Sequence, residues 1–427
     1  MKKPVTAVVV GAGDRGAHAY SPYARDFPHE LAIVAVAEPQ EDRRNYMVQE
    51  YGIPQDRAYS KWEEFLQHSR LADAALICTQ DRMHYQPTMK ALERGYHVLL
   101  EKPMSPDPAE CIAMEEAARE RGRLLVIGHV LRYTPFWTRM KAVIDSGAIG
   151  DIVSIQLNEN VEFHHMAHSF VRGNWNHSQR SSPMILAKSC HDMDLLAWLV
   201  GKPCLRVSSF GSLLHFREEK APKGATDRCL DGCMAEAECP WSAPRFYLGK
   251  GKAWAGKFTG DLSREGILHA LQTGPYGRCV YHSDNDIVDH QTVNLEFEGG
   301  VTAVFSMCGF TRDNTRIIQV MGTRGEIRGS MVEQSFSVYD FLTGDETVIR
   351  TDSGLGGHGG GDEGLIRRFV RDVRQGSADA ALTSASDSVM SHLMAFAAEE
   401  SRLRGGMPVP IRELYGRGSK EVRGPSV

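Results

Sequence analysis

VTAVVVGAGDRG (Val5–Gly16) joins a short β-rich run to three glycines at the start of a helical stretch. In a strand-turn-helix unit of this kind, Gly11 permits the tight turn, Gly13 lets a pyrophosphate approach the backbone, and Gly16 lets the helix pack on the strand. Asp14 and Arg15 lie in the same loop. A lone G-x-G-x-x-G is weak, so its surroundings decide. LAIVAVAEP (Leu31–Pro39), ADAALICT (Ala72–Thr79), YHVLLEKP (Tyr96–Pro103) and RLLVIGH (Arg123–His129) are further β-rich runs. Between them lie amphipathic stretches such as YQPTMKALERG (Tyr85–Gly95) and DPAECIAMEEAARERG (Asp107–Gly122), each closed by a glycine suited to a helix C-cap. The alternation predicts right-handed βαβ units and a doubly wound parallel sheet, a Rossmann domain over residues 1–130. Glu38 closes the second run, where an acid accepts hydrogen bonds from an adenosine ribose. NAD is the expected dinucleotide, because Glu38 would repel a 2'-phosphate; Arg43 and Arg44 leave NADP open.

The rest of the composition narrows the partners. The 427 residues are 42% hydrophobic and 24% charged, with a formal net charge of -5, which suits packed cores and gives no electrostatic case for nucleic acid or an anionic membrane. The apolar run after Met1–Lys3 is brief, and no later segment approaches a membrane span, so a cytoplasmic protein is expected. Nine cysteines, an odd number scattered along the chain, suggest thiols or metal ligands rather than a disulfide framework.

After the helical stretch PFWTRMKAVIDSGAIG (Pro135–Gly150) the texture changes. IVSIQLNENV and TVNLEFEGGVTAVFSMCGF alternate apolar and polar residues, as in an antiparallel sheet covered on one face. A second, α+β domain is therefore expected over residues 131–427, with a loop-rich, cysteine-containing insertion at about 213–280 and helical periodicity returning over Gly364–Arg404.

Several motifs carry chemistry. Glu101, Lys102 and Pro103 end the fourth β-rich run, and ligands of open α/β sheets sit beyond the carboxyl ends of the strands, so Glu101 and Lys102 are expected at the nicotinamide. In LAKSCHDMDLLAWLVG (Leu186–Gly201), one helix would set Lys188, His191, Asp192 and Leu195 on one face with Asp194 beside them; periodicity fits both a pocket rim and a solvated first turn. Asp286 and His290 precede a strand. His358 and Asp362 flank glycines at a helix start, Asp362 as an N-cap. Cys229, Cys233 and Cys239 crowd RCLDGCMAEAECPWSA, and Cys279 or His282 could complete a structural zinc site.

Together GAGDRG, Glu38, CTQDRMHYQPTMKALERGYHVLLEKP (Cys78–Pro103), RYTPFW (Arg132–Trp137) and CHDMDLLAWLVG (Cys190–Gly201) resemble the glucose-fructose oxidoreductase, inositol dehydrogenase and MocA (Gfo/Idh/MocA) family. The resemblance implies a Rossmann domain followed by a large, mostly antiparallel sheet flanked by helices, with NAD(P) between them and a sugar or polyol as substrate. It makes Lys102 the lysine of the E-K-P motif and His191 the catalytic histidine. Thr79, Gln80 and His84 fall in the cofactor-facing segment, and Arg132, Tyr133 and His358 toward the substrate; His290, at the start of its strand, is expected there from its position alone. The aspartate that the family's polyol dehydrogenases carry one turn before the histidine is here Ala187. Lys188 stands beside it, so Lys102, Lys188 and His191 are the expected proton carriers, with Asp192 or Asp194 as counter-charge and Asp194, the family's second acid, otherwise structural. The family usually forms homodimers or homotetramers. Two alternatives to a dehydrogenase follow: an NAD-dependent glycosidase working by transient oxidation, elimination and re-reduction, and a non-catalytic dinucleotide sensor.

Overall fold

Continuous apolar runs suit strands buried on both faces, and Val8, Val9, Ala75 and Leu76 are all without solvent exposure in the computed structural model, which describes residues 3–352, 357–376 and 382–423. These runs form a parallel sheet of β1 (Val5–Val10), β2 (Leu31–Ala37), β3 (Ala58–Tyr59), β4 (Ala74–Ile77), β5 (His97–Leu100) and β6 (Leu125–Ile127), in the order β3-β2-β1-β4-β5-β6. The two-residue edge strand β3 is too short to show any period in sequence. Helices α1 (Glu41–Tyr51), α2 (Tyr85–Glu93) and α3 (Pro108–Glu120) cover the sheet, α3 starting at Asp107, whose carboxylate accepts the Ala109 N–H at 2.8 Å. The strand order reverses between β1 and β4, the switch point where a doubly wound sheet opens a crevice.

After α4 (Pro135–Asp145) comes the second sheet. Its strands are β7 (Ile152–Glu162), β8 (Cys204–Ser212), β9 (His290–Phe297), β10 (Thr302–Thr311), β11 (Thr315–Gly322), β12 (Gly325–Ser330), β13 (Ser335–Asp340), β14 (Glu346–Arg350) and β15 (Val409–Pro410). They lie in the order β14-β13-β12-β11-β7-β10-β9-β8-β15. All neighbours are antiparallel except β7 and β10, which run parallel in mid-sheet. Alternation serves its expected purpose: Ile155, Leu157, Val293, Leu295 and Phe305 face the core, while Val153 and Val304 face outward.

Helix α5 (Cys190–Val200) supports the inner face, and the insertion folds around its own small core of Phe246, Tyr247, Ile267 and Leu271, the last two on α6 (Arg264–Thr273). The chain then returns to the first sheet. On α7 (Gly361–Gln375), Leu365, Ile366, Phe369 and Val370 share a core with Val5, Val9 and Val130. Helix α8 (Ala385–Leu403) packs on β8 and α5, and α9 (Ile411–Arg423) lies against α3. Among the described residues no helix is long and apolar enough to cross a membrane.

Gly16 is the tightest point of the first turn, since a Cβ there would stand 2.1 Å from the Gly11 carbonyl oxygen. Gly16→Ala is expected to destabilise the first sheet by about 1–3 kcal/mol, the usual cost of overpacking, measurable by urea unfolding against Gly260→Ala as a surface control, since a Cβ at exposed Gly260 meets nothing within 4 Å.

Candidate functional site

Loops after β1, β2, β4 and β5 form one side of a cavity of about 720 Å³, and α5, the Met166–Arg172 turn and the insertion form the other. Gly11 adopts φ +89°, and a Cβ there would meet the Cys78 carbonyl oxygen at 2.7 Å. At Gly13 a Cβ would meet only Arg43 Nη1, 3.8 Å away, so this stretch of backbone borders open cavity, as a pyrophosphate requires. Glu38 is buried and accepts the Ala12 N–H at 2.7 Å and the Gln40 N–H at 2.9 Å. Four acceptor positions on a carboxylate leave room for ribose hydroxyls as well. Glu38 does not itself line the cavity, so the open backbone at Gly13 and the Arg43 side chain are what fit a dinucleotide there. Arg43 lines the cavity, whereas Arg44 donates to the Glu38 backbone oxygen at 2.6 Å.

Arg15 joins three elements. Its guanidinium donates to Glu101 at 2.7 Å, to Asp362 at 2.7 and 3.1 Å, and to the Tyr20 hydroxyl at 2.8 Å, while Tyr20 donates in turn to Glu101. Burial opposes ionisation of Glu101, but Arg15, Lys102 and Tyr20 outweigh it and hold the carboxyl below its usual range. Asp362 behaves alike: burial pushes it up, and hydrogen bonds from His358 and Arg15 hold it well below the ordinary carboxyl range. Its expected capping role falls away, because the helix begins at Gly361 and the Asp362 side chain turns to Arg15 and His358.

The stretch around His191 is not one helix. Met184–Ala187 forms a single turn, the chain breaks at Lys188 and Ser189, and α5 starts afresh at Cys190. Lys188 consequently leaves the face it would share with Asp192. Lys188 pairs with Glu159 at 3.3 Å, and Asp192 is held by Arg316 at 2.7 Å, whose other nitrogen reaches Glu159 at 2.5 Å. Burial pushes the Asp192 carboxyl up, with Glu159 adding to it and Arg316 opposing. Glu159 on β7 and Arg316 on β11 are register partners. Sequence reading passed over both; the available signal was a charged residue on the inward phase of an alternating strand, Glu159 being in step with Ile155, Leu157 and Val161.

His191 is buried beside this network and lines the cavity, its Nδ1 without a hydrogen-bond partner among the described residues. Burial, reinforced by Lys102, His129, Arg316 and His358, pushes its pKa well below the usual imidazole value. Lys102 also lines the cavity, and its ammonium donates to the Ala187 carbonyl at 2.7 Å. Ala187 thus contributes its backbone oxygen to Lys102.

Asp14, Thr79, Gln80, Glu101, Lys188 and His358 line the same cavity. The other expected contacts do not. His84 is buried behind it, with Nδ1 2.7 Å from the Pro103 oxygen and Nε2 3.0 Å from the Thr79 oxygen, where it ties the ends of β4 and β5 together. Arg132 is spent on a buried two-point pair with Asp194 at 2.6 and 2.7 Å, which accounts for that aspartate as structural. Tyr133 bonds to the Thr383 hydroxyl at 3.0 Å. His290 sits against Asp289 at 2.8 Å, and Asp286 accepts from the Ser178 N–H at 2.7 Å.

The zinc expectation is corrected. Among the described residues no group of three or more His, Cys, Asp or Glu side chains is arranged to hold a metal ion. Cys229, Cys233, Cys239 and Cys279 border a small hollow, but the Arg172 guanidinium shares it, 3.8 Å from Cys229 Sγ, and His282 pairs with Asp227 at 3.2 Å. A fixed cation is a poor neighbour for a second one. All nine cysteines are free.

Residues 5–129 match the family model described as the oxidoreductase family's NAD-binding Rossmann fold, and residues 141–411 match its C-terminal alpha/beta domain. The chain belongs to the Gfo/Idh/MocA oxidoreductase family. It is 25% identical over 310 residues to the putative oxidoreductase YteT of Bacillus subtilis, covering 69% of this chain and 71% of that protein. It is 26% identical over 219 residues to the scyllo-inositol 2-dehydrogenase (NAD(+)) of Bacillus subtilis, covering 50% of this chain and 59% of that one. Among solved structures, levoglucosan dehydrogenase in complex with NADH and levoglucosan superposes with a TM-score of 0.71 at 18% identity, over 96% of this chain and 100% of that one, and so shares the fold.

The Arg15 cluster links the cofactor loop to acid stability in this family member. Asp362→Asn is expected to cost about 2 kcal/mol at neutral pH, the worth of a charge-assisted contact. Because the folded pKa of Asp362 lies below the unfolded one, its contribution is full at neutral pH and is lost as pH falls from about 3.9 toward the folded value. Urea unfolding between pH 3 and 7 should therefore show a steeper acid loss in the natural protein than in the variant.

Proposed function

We propose that this family member is an NAD(P)-dependent dehydrogenase, NAD-preferring, that oxidises a CH–OH carbon of a sugar, sugar derivative or polyol. The observation that carries the reading is the meeting of Lys102, at a parallel-strand end, with neutral His191 in one cavity beside a dinucleotide-type glycine loop. Bound NAD supplies the hydride acceptor. The Lys102 ammonium, held by an uncharged carbonyl, keeps protons for a substrate hydroxyl oxygen and stabilises the alkoxide character that develops on it. The burial that keeps His191 neutral also makes it a weak base, so it accepts the hydroxyl proton only because Lys102 makes that proton easier to lose. Lys188, paired with Glu159, holds the α5 start rather than exchanging protons. Thr79, Gln80, Arg43 and Glu38 serve the cofactor, and His358 the substrate end.

The scyllo-inositol dehydrogenase relative and the levoglucosan-bound neighbour support a polyhydroxylated ring as substrate class. Exposed Val153, Val304 and Ile317 on the outer face of the second sheet support a homodimer or homotetramer, and nine free thiols suit a cytoplasmic setting. One observation favours the oxidation-elimination-reduction route as a second reading: the Ala187 backbone carbonyl, not an aspartate side chain, meets Lys102 at the site. That route turns over sugar with no net NADH, so product analysis beside absorbance separates the two.

Lys102→Ala and His191→Ala should each lower kcat by about a hundredfold or more with NAD affinity nearly unchanged. Since His191 titrates well below about 6.5, the acid limb of kcat/KM should lie below that pH in the natural enzyme and vanish in His191→Ala. Near-normal turnover in both variants, on a substrate the natural enzyme oxidises, contradicts the assignment.

Cofactor choice has its own test. Calorimetric titration should find NAD bound more tightly than NADP, and Glu38→Ser should move the ratio toward NADP, with Arg43 facing the added phosphate. Tighter NADP binding by the natural protein would remove the stated preference.

A further inference from the structure

The insertion sends Trp254, Lys257 and Tyr276 into the cavity wall, opposite the strand ends that serve the cofactor. Lys257 crosses the cleft to pair with Asp14 at 3.2 Å and lies 5.7 Å over the Trp254 ring, so the segment is tied down as a roof. Beneath it the Met166–Arg172 turn and the residue before it bring His165 to 5.2 Å and His168 to 4.8 Å from Trp254, with Tyr276 stacked on His168 at 4.6 Å. Trp254 is half-buried, whereas Tyr276 is stacked on Phe258 at 4.4 Å as well as on His168, so Trp254 is the ring left for a ligand.

Each histidine gives one nitrogen to the protein. His165 Nδ1 meets the Asn314 side-chain oxygen at 2.9 Å, and His168 Nδ1 the Tyr247 hydroxyl at 2.7 Å, so the two Nε2 atoms are left for a ligand. Burial and the nearby Lys188 push His165 down to about 3, and burial with Lys257 does the same to His168, so both rings are neutral at physiological pH. His165, His168 and Trp254 line the same cavity as Lys102, Lys188 and His191. Cations there are already matched: Lys188 and Arg316 by Glu159 and Asp192, Lys257 by Asp14. Aromatic faces beside neutral, two-way hydrogen-bonding rings suit the C–H face and hydroxyl edge of a pyranose, and the balanced charge gives no demand for an acidic one.

We infer that the insertion builds a second sugar subsite around Trp254, so that the substrate is a neutral glycoside of at least two rings, one oxidised near Lys102 and the next stacked on Trp254. The inference rests on the sugar-oxidising reading above. The test is calorimetric titration of the NADH-saturated enzyme with methyl glucoside, cellobiose, maltose and lactose. At least one disaccharide should bind about five- to tenfold more tightly than the methyl glycoside, the worth of one aromatic stacking contact. Trp254→Ala should erase that advantage, Trp254→Phe should keep most of it, and NADH affinity should stay unchanged in both. Equal binding of methyl glycoside and disaccharides, or an advantage that survives Trp254→Ala, overturns the subsite alone if sugars are still oxidised. Loss of NADH affinity in Trp254→Ala overturns it too, by assigning the ring to the cofactor. If no sugar binds or reduces NAD, the dehydrogenase reading fails with it.

Discussion

The Arg15 guanidinium is the contact on which the site depends. It stands in the glycine loop after β1, reaches the end of β5 through Glu101, and binds α7 through Asp362, which lies more than three hundred residues further on. One planar, permanently charged fork satisfies two buried carboxylates and a tyrosine at once, a geometry that lysine could not supply. Both carboxylates are kept ionised by it against the cost of burial. The loop that cradles a dinucleotide, the strand end that presents Lys102 and the helix start that carries His358 thereby become one rigid unit.

A second charge network does for the other wall what Arg15 does for this one. Glu159 and Arg316 face each other across β7 and β11, and they take up Lys188 and Asp192 from either side of the break before α5. Two basic groups face two carboxyl groups in this buried cluster, and such opposition is what lets ionic groups be tolerated away from water. His191 emerges from that balanced ground as a neutral ring, with the Lys102 ammonium in the same cavity. The chemistry proposed for the site follows from this division: charge is stabilised at the lysine and a proton is taken at the histidine.

The insertion completes the enclosure. It has its own small core, so it can hold Trp254 and Tyr276 rigidly over the cavity, and its Lys257 meets Asp14 across the cleft. Beyond that ion pair the insertion is fastened to the Met166–Arg172 turn, where His168 meets the Tyr247 hydroxyl at 2.7 Å and Arg172 donates to the Trp241 and Arg278 carbonyls at 2.8 and 2.6 Å.

Much of this was written locally in the chain. The glycine pattern, the apolar strand runs, Glu38 and Lys102 are read from neighbours within one turn or one strand, because backbone sterics and periodicity act over that range, whereas His191 stands out only by the family resemblance, its own periodicity fitting a pocket rim and a solvated turn alike. The alternating strands of the second sheet were legible for the same reason, although the parallel pairing of β7 with β10 was not, since register is a property of two distant segments. What only the tertiary structure decided is who partners whom. Arg132 looked like a substrate ligand until Asp194 claimed it, Lys188 and Asp192 proved to answer to different strands, and His84 and His290 turned away from the cavity toward the Pro103 oxygen and Asp289. The cysteine cluster, suggestive by spacing, shares its hollow with Arg172. Charged and polar side chains find their partners through space over hundreds of residues, and no periodicity along the chain records that choice.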